Sequence, residues 1–278
     1  MPVTLQLEAV FLIAVLMMLA GWLFQLRHRE ASIVDAIWAI GIGGACIFYA
    51  WHGIGDPGRR VLVAVTGGFW GMRLGTYLLR NRVFGKPEDA RYRKLRNIWG
   101  TSANRNFFLF FQFQALLILL FSLPAWVVCN DTSRGLAPLA PWVPWPPLLV
   151  WDWFGAAIAL GAIGGESLAD RQLSQFRSHP ANKGKTCRDG LWRYSRHPNY
   201  FFEWVHWFSY VVYAIGADNW WLTLLGPALM FWFLYKITGI PWTEKQAIKT
   251  RGDDYREYQR TTSMFFPWFP RKASQKGS

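Results

Sequence analysis

Apolar runs of about 20 residues recur along this sequence, and that is the length a helix needs to cross roughly 30 Å of hydrocarbon. Only 17% of the residues are charged, whereas 52% are hydrophobic and 18% are aromatic. A soluble domain of 278 residues would carry many more charges. The sequence therefore predicts an all-α, polytopic integral membrane protein that forms a single domain over residues 1–278.

The runs predict a bundle of seven transmembrane helices, at about residues 3–24, 32–51, 61–79, 107–128, 148–165, 199–215 and 220–240. Basic residues concentrate in the segments 27–29, 80–105, 171–196 and 241–278, after every second span. Cytoplasmic loops carry such an excess of Lys and Arg, so the N-terminus is predicted outside and the C-terminus in the cytoplasm. The net charge of +13 then favours contact with membrane lipids and disfavours nucleic acid.

Three further segments are predicted to lie at the membrane surface. Residues 81–105 alternate basic with apolar side chains, as an amphipathic surface helix does. The proline-rich loop 138–147 and the aromatic cluster 265–270 contain Trp, which favours the interface. The three cysteines show no paired spacing, so neither a disulfide framework nor a metal site is predicted. No internal repeat indicates a transporter, and nothing indicates a protein partner.

The densest group of polar side chains lies in residues 190–203, where the sixth span begins; it comprises Arg193, Tyr194, Arg196, His197, Asn199, Tyr200 and Glu203. His197-Pro198 has a structural interpretation, because proline suits the first turn of a helix. Asn199 and Glu203 are four residues apart and share one helix face, and the positive end of the helix favours anionic groups there.

A second polar group precedes this stretch. Glu166 and Asp170 are also four residues apart, and two carboxylates at that spacing repel unless cations or donors lie between them. Arg177 and the arginines of residues 190–203 can supply those cations. Such a set suits a large anionic ligand with phosphates and a flat ring. The alternative interpretation is that these basic residues only touch lipid headgroups.

Ionisable residues inside spans are functional candidates, because an unpaired charge there is costly. Asp35 and Arg73 qualify, although they could equally form a structural pair inside the bundle. His206 is interpreted as a hydrogen-bonded core residue.

The stretch GLWRYSRHPNYFFE at 190–203, with Glu166-x-x-x-Asp170 before it and Asp35 in the second span, resembles the DUF1295 family of the steroid 5α-reductase superfamily. The resemblance covers about residues 30–270, with a reductase-like core at about 148–270. It implies a seven-helix membrane reductase that takes NADPH from the cytoplasm. Such an enzyme reduces the carbon–carbon double bond of an enone in a lipophilic substrate from the bilayer.

The resemblance also implies roles for individual residues. Asp170, Arg177, Arg193 and Arg196 would hold the ribose and phosphates of NADPH, and Asn199 and Glu203 would hold the nicotinamide. The further predicted cofactor contacts are Glu166, Tyr194, His197, Tyr200 and Glu244, and the predicted catalytic residues are Asp35, Arg73 and Tyr77. Glu166 stands where the relatives have Asn. Their adjacent Gln-Glu and their Tyr are unmatched, with Asp35, Trp38 and Trp70 in those regions.

Two alternatives stay open. Isoprenylcysteine carboxyl methyltransferases share the Arg-His-Pro-x-Tyr idiom and a tail like the one that begins at Glu244, and they bind S-adenosylmethionine. That cofactor has no phosphate, so Arg177 with the two carboxylates of 166–170 favours NADPH. A non-enzymatic lipid-binding bundle is the other alternative, and it would leave the polar face of Asn199 and Glu203 unexplained.

Overall fold

The computed structural model describes residues 1–133 and 148–271, and all regular secondary structure within them is helical. The helices are α1 Val3–His28, α2 Ile33–His52, α3 Pro57–Leu78, α4 Ala90–Trp99, α5 Ala103–Asn130, α6 Val150–Ser178, α7 Pro198–His206, α8 Phe208–Tyr213, α9 Leu225–Trp232, α10 Ile240–Arg251 and α11 Asp253–Thr261. The predicted proline-rich interfacial loop, 138–147, lies outside the described residues. The all-α prediction is confirmed for the described part of the chain.

Four helical segments among the described residues are long and apolar enough to cross a membrane: Val3–His28, Ile33–His52, Ala90–Asn130 and Trp220–Arg251. The third of them joins α4 and α5, and the fourth joins α9 and α10 through short 3₁₀ and π turns. Segments of this length and composition are consistent with an integral membrane protein.

Two of the predicted spans differ in form from a plain apolar helix. The predicted sixth span, 199–215, is two short helices, α7 and α8, which separate at Trp207. The predicted third span corresponds to α3, which carries Arg59 and Arg60 in its first turn and Arg73 in its second half. Charge inside the helix explains why hydropathy alone does not single out α3 as a span.

The described residues group into two compact units. The N-terminal unit comprises Met1–Ala156 with Tyr210–Gly226, and the C-terminal unit comprises Ala157–Ser209 with Pro227–Ser278. The predicted single domain over 1–278 stays a prediction. The units are described separately below.

In the N-terminal unit, α2 and α3 pack with their backbones in close contact. A Cβ at Gly71 of α3 would lie 2.6 Å from the carbonyl oxygen of Ala39 and 2.7 Å from the Cα of Gly43. Only glycine fits such an approach. Small residues at helix contacts are the usual means by which membrane helices gain van der Waals packing, because lipid offers no hydrophobic driving force between them.

The start of α3 is held by a buried arginine. Asp56 caps the helix by accepting the backbone N–H of Arg59, and Pro57 occupies the first turn. The side chain of Arg59 is fully buried; its Nε donates to Asp152 at 2.9 Å and its Nη1 to Asp131 at 2.8 Å. This network joins the first turn of α3 to the end of α5 and to the start of α6.

The C-terminal unit brings α6 and α7 into close contact. A Cβ at Gly165 of α6 would lie 2.5 Å from the ring of Phe202 on α7. The helices α10 and α11 follow, with a core formed by Ala247, Tyr255 and Tyr258. The predicted core residue His206 is fully buried at the end of α7.

We expect Arg59→Ala to destabilise the N-terminal unit strongly, because it leaves the carboxylates of Asp131 and Asp152 without their guanidinium. Removing one partner of a buried ion pair costs about 3–5 kcal/mol. Thermal unfolding of the purified protein in detergent measures the effect, with the exposed Arg105→Ala as the matched control. Equal melting temperatures for the two variants would contradict the structural role assigned to Arg59.

Candidate functional site

The loop before α7 is shaped by contacts with α6. Gly190 adopts a φ of +57°, and a Cβ there would lie 2.2 Å from the amide nitrogen of Gln172. The Gln172 side chain accepts the backbone N–H of Leu191 at 3.0 Å, and the indole of Trp192 donates to the carbonyl of Ala169 at 3.0 Å. A glycine at 190 is therefore required to bring residues 190–197 against α6.

Arg196 is buried and its guanidinium is committed to partners within the protein. Its Nε donates to Glu244 at 2.7 Å, and its Nη1 donates to the carbonyl oxygens of Gln259 at 2.9 Å and Thr262 at 2.8 Å. Its backbone N–H donates to the carbonyl of Ser263 at 2.8 Å. One arginine thus joins the loop before α7 to α10 and to the chain after α11.

Glu244 is the centre of this cluster. Its Oε1 also lies 3.4 Å from Nε2 of His197 and accepts the Tyr255 hydroxyl at 3.4 Å, while Oε2 accepts the amide of Gln259 at 2.8 Å. Because Arg196 favours the ionised carboxylate, which only accepts, the His197 imidazole donates through Nε2–H. Burial lowers the pKa of His197 below its ordinary value, and this outweighs the opposite effect of Glu244.

The C-terminal segment 262–271 is hydrogen-bonded to the same loop. Ser195 donates its hydroxyl to the carbonyl of Phe265 at 2.9 Å, and Trp268 donates its backbone N–H to the carbonyl of Tyr194 at 2.9 Å. The hydroxyl of Tyr258 donates to the carbonyls of Trp192 and Ser195. The site loop therefore depends on residues more than 60 positions later in the chain, a dependence that no local motif reveals.

A row of carboxylates and an amide crosses from α6 to α7. Glu166 and Asp170 are buried one turn apart on α6, and the amide of Asn199 donates to Asp170 at 3.2 Å. Glu203 is half-buried one turn after Asn199. The structure thus joins two pairs that the sequence predicts separately, and Asn199 supplies the donor that Asp170 needs.

The other predicted cofactor residues differ in their environment. Tyr200 stacks on His197 with ring centroids 5.5 Å apart, and its hydroxyl lies 3.3 Å from that of Thr243. Arg177, Arg193 and Tyr194 are exposed. The exposed guanidinium groups of Arg177 and Arg193 can bind an anion, whereas that of Arg196 holds the loop in place. A cofactor contact from Arg196 stays a prediction.

The three predicted catalytic residues lie in the N-terminal unit. Asp35 on α2 accepts from Nη2 of Arg91 at 2.7 Å and from the Tyr92 hydroxyl at 2.7 Å. Arg73 and Tyr77 are half-buried one turn apart on α3. The sequence predicts a surface helix around Arg91 and Tyr92 but not their contact with Asp35, because the alternation of basic and apolar residues does not reveal which charge a distant helix will meet.

Asp89, just before α4, completes the network around Asp35. It accepts from Nε of Arg91 at 3.1 Å, and its own backbone N–H donates to Ser32 at 2.9 Å. Burial raises the pKa of Asp89, but the charge and hydrogen bonds of Arg91 outweigh burial, so the pKa lies below its ordinary value. Within the described residues, no group of His, Cys, Asp or Glu side chains is arranged to hold a metal ion.

A sequence model of the DUF1295 family, described as a protein of unknown function, matches residues 21–262. An uncharacterized protein of Schizosaccharomyces pombe is 25% identical over an alignment 283 positions long, and the alignment covers 88% of this chain and 75% of that protein. No solved structure matches the chain. The matched range includes every predicted site residue, from Asp35 to Glu244.

We expect Arg196→Lys to lower the melting temperature, because one ammonium cannot serve Glu244 and two carbonyls in the geometry of a guanidinium. A hydrogen bond to a charged group contributes about 1.5–3 kcal/mol. The matched control is Arg193→Lys, three residues earlier and exposed. Limited proteolysis should cut the C-terminal segment faster in Arg196→Lys alone. Identical cleavage of both variants would contradict the role of Arg196 in holding the C-terminal segment.

Proposed function

The chain belongs to the DUF1295 family, and from that premise we propose that it is a membrane-embedded, NADPH-dependent reductase of a carbon–carbon double bond in an enone or enoyl lipid. The proposal includes kinship with the steroid 5α-reductase superfamily. The row of Glu166, Asp170, Asn199 and Glu203, joined by the 3.2 Å hydrogen bond between Asn199 and Asp170, is the observation that supports it most.

The chemistry of this row fits the nicotinamide and ribose of a dinucleotide. Asn199 offers an amide donor and acceptor, and the carboxylates of Asp170 and Glu203 accept from hydroxyl or amide groups. Glu166 and Asp170 are buried, which limits competition from water and strengthens each hydrogen bond. These residues would orient the cofactor from its nicotinamide end.

The phosphates need cations, and the same unit supplies them. Arg177 at the end of α6 and Arg193 in the loop are exposed, so their guanidinium groups are accessible to a ligand. Planar guanidinium groups pair with phosphates in a fork geometry. NADPH carries three phosphates and S-adenosylmethionine carries none, so this distribution of charge favours hydride transfer over methyl transfer.

When bound, NADPH would supply the hydride that reaches the β-carbon of the enone, while a proton ends on the α-carbon and the product is the saturated carbonyl compound. Both oxygens of Asp35 already accept hydrogen bonds within the protein, from Arg91 and Tyr92. We therefore assign the proton-donating role to Tyr77, with Arg73 one turn earlier on α3 as the cation that favours charge on the substrate oxygen.

The proposal keeps seven spans, with the N-terminus outside and the C-terminus, the arginines and the cofactor residues on the cytoplasmic side. A cysteine substituted at exposed Arg193 should react with a membrane-impermeant maleimide only after cells are permeabilised, because it faces the cytoplasm. Cys46, Cys129 and Cys187 are buried and give a low background. Labelling of Arg193→Cys in intact cells would overturn the orientation.

The contact of His197 with Glu244 favours a second candidate, an S-adenosylmethionine-dependent methyltransferase. His197 belongs to the Arg-His-Pro-x-Tyr motif, and Glu244 begins the C-terminal segment, that such enzymes share. This candidate predicts saturable binding of S-adenosylmethionine, and it leaves the exposed arginines without a phosphate to bind.

Titration of the purified protein with each cofactor separates the two candidates. We expect saturable binding of NADPH and none of S-adenosylmethionine. Asn199→Ala should weaken NADPH binding up to about tenfold, which corresponds to the loss of one hydrogen bond. Gln175→Ala, exposed on α6, is the control and should bind normally. Binding of S-adenosylmethionine alone would refute the reductase.

A further inference from the structure

The C-terminal segment 262–271 forms a closed loop after α11. Its ends meet where the backbone N–H of Arg271 donates to the carbonyl of Thr261 at 2.8 Å. The sequence of the segment is TSMFFPWFPR, in which four of the ten side chains are aromatic. The sequence alone predicts that this aromatic cluster lies at the membrane surface, and the structure shows which of its side chains are free to make contacts there.

Most of the aromatic area of the segment faces outward. Phe265 is only 2% exposed, whereas Phe266 is 51%, Trp268 71% and Phe269 76% exposed. Tyr194, in the loop before α7, extends the same surface, because its ring is also exposed and lies 6.0 Å from that of Phe269. A contiguous exposed patch of this kind marks an interaction surface.

The segment packs against a helix of membrane-spanning length. Phe231 on α9 belongs to Trp220–Arg251, one of the segments that are long and apolar enough to cross a membrane. Its ring centroid lies 5.5 Å from that of Phe265 and 6.4 Å from that of Phe266. The exposed side of Phe266 therefore adjoins a helix whose own environment is hydrocarbon, which makes lipid the neighbour that this patch meets.

The backbone of the segment leaves few polar groups that need water. Pro267 and Pro270 have no backbone N–H. The N–H of Trp268 donates to the carbonyl of Tyr194 at 2.9 Å, and that of Arg271 closes the loop. Irregular backbone is tolerated in an apolar phase only where its polar groups are satisfied, so this loop can enter one at little cost.

Cations lie at both ends of the segment. Arg260 on α11 and Arg271 are exposed. Lys272 follows in the sequence. Aromatic rings flanked by Arg and Lys match a phospholipid surface, where rings lie at the level of the headgroups and cations meet phosphate. This complementarity of charge favours a phospholipid bilayer over a second apolar protein surface.

We propose that the C-terminal segment inserts Phe266, Trp268 and Phe269 into the headgroup region of a phospholipid bilayer and thereby holds the loop 190–197 at the membrane. The two parts of the chain are linked directly, since Ser195 donates to the carbonyl of Phe265 and Tyr194 accepts from Trp268. The bilayer then stabilises the geometry of the candidate site together with the Arg196–Glu244 pair. The proposal goes beyond the proposed reductase and does not rest on it.

The first experiment measures insertion, with the full chain in phosphatidylglycerol nanodiscs. Phe269→Cys carries the environment-sensitive fluorophore NBD, and the buried Cys46, Cys129 and Cys187 give a low background. We expect emission at a shorter wavelength than in water, and quenching by a lipid that has a doxyl group near the top of its acyl chain. The matched control is NBD on Arg256→Cys, exposed on α11 in the same unit, which should emit as in water and resist the quencher.

Two results would overturn insertion. One is emission from Phe269→Cys like that of the Arg256→Cys control. The other is emission typical of an apolar environment that the doxyl lipid does not quench, because a protein surface, such as a second copy of the chain, would then cover the segment.

The second experiment measures hydrogen exchange in the same nanodiscs and tests the hold on the loop 190–197. The double variant Trp268→Ser/Phe269→Ser removes two mostly exposed side chains and no buried packing, so the fold should persist. We expect the backbone amides of residues 190–197 to lose protection in this variant. Phe84→Ser, which removes an exposed aromatic ring from the N-terminal unit, is the control and should keep the protection of the wild type.

Unchanged exchange of residues 190–197 in the double variant would show that the bilayer does not hold this loop and would overturn that part of the proposal. Failure of NADPH to bind would overturn only the reductase and would leave both results standing.

Discussion

The cost of an unpaired charge next to hydrocarbon governs this structure, because apolar helices leave few places where an ion can reach water. Several of the described charges accordingly form compact networks. Arg59 joins Asp131 and Asp152, and Arg91 joins Asp35 and Asp89. In each network a guanidinium connects helices that are distant in sequence, so pairing of charge also fixes the packing.

The Arg196–Glu244 pair has the same role in the C-terminal unit. It connects the loop before α7 to α10, and the guanidinium of Arg196 also donates to the carbonyls of Gln259 and Thr262, which fixes the end of α11. Because this arginine is used inside the protein, the proposed cofactor would meet Arg177 and Arg193 instead, which are exposed. The division between arginines that build the loop and arginines that can meet a phosphate is the main refinement that the structure brings to the site.

Much of the fold and part of the site follow from the sequence. The apolar runs predict the helices, and the i, i+4 spacing predicts that Glu166 shares a face with Asp170 and Asn199 with Glu203. The contact between Asp170 and Asn199 is long-range and depends on the close approach of α6 and α7 at Gly165, which no local pattern encodes. The interruption between α7 and α8 at Trp207 and the hydrogen bond from Ser195 to Phe265 likewise follow from no local pattern.

The central claim is that hydride moves from NADPH to the β-carbon of an enone. Incubation of the purified protein with a lipid enone and NADPH deuterated at the transferable position of the nicotinamide tests it most directly. We predict one deuterium at the β-carbon of the saturated product, found by mass spectrometry, and slower formation of that product by Asn199→Ala at the same NADPH concentration. A product that carries a methyl group from S-adenosylmethionine, with no deuterium transferred from NADPH, would contradict the claim.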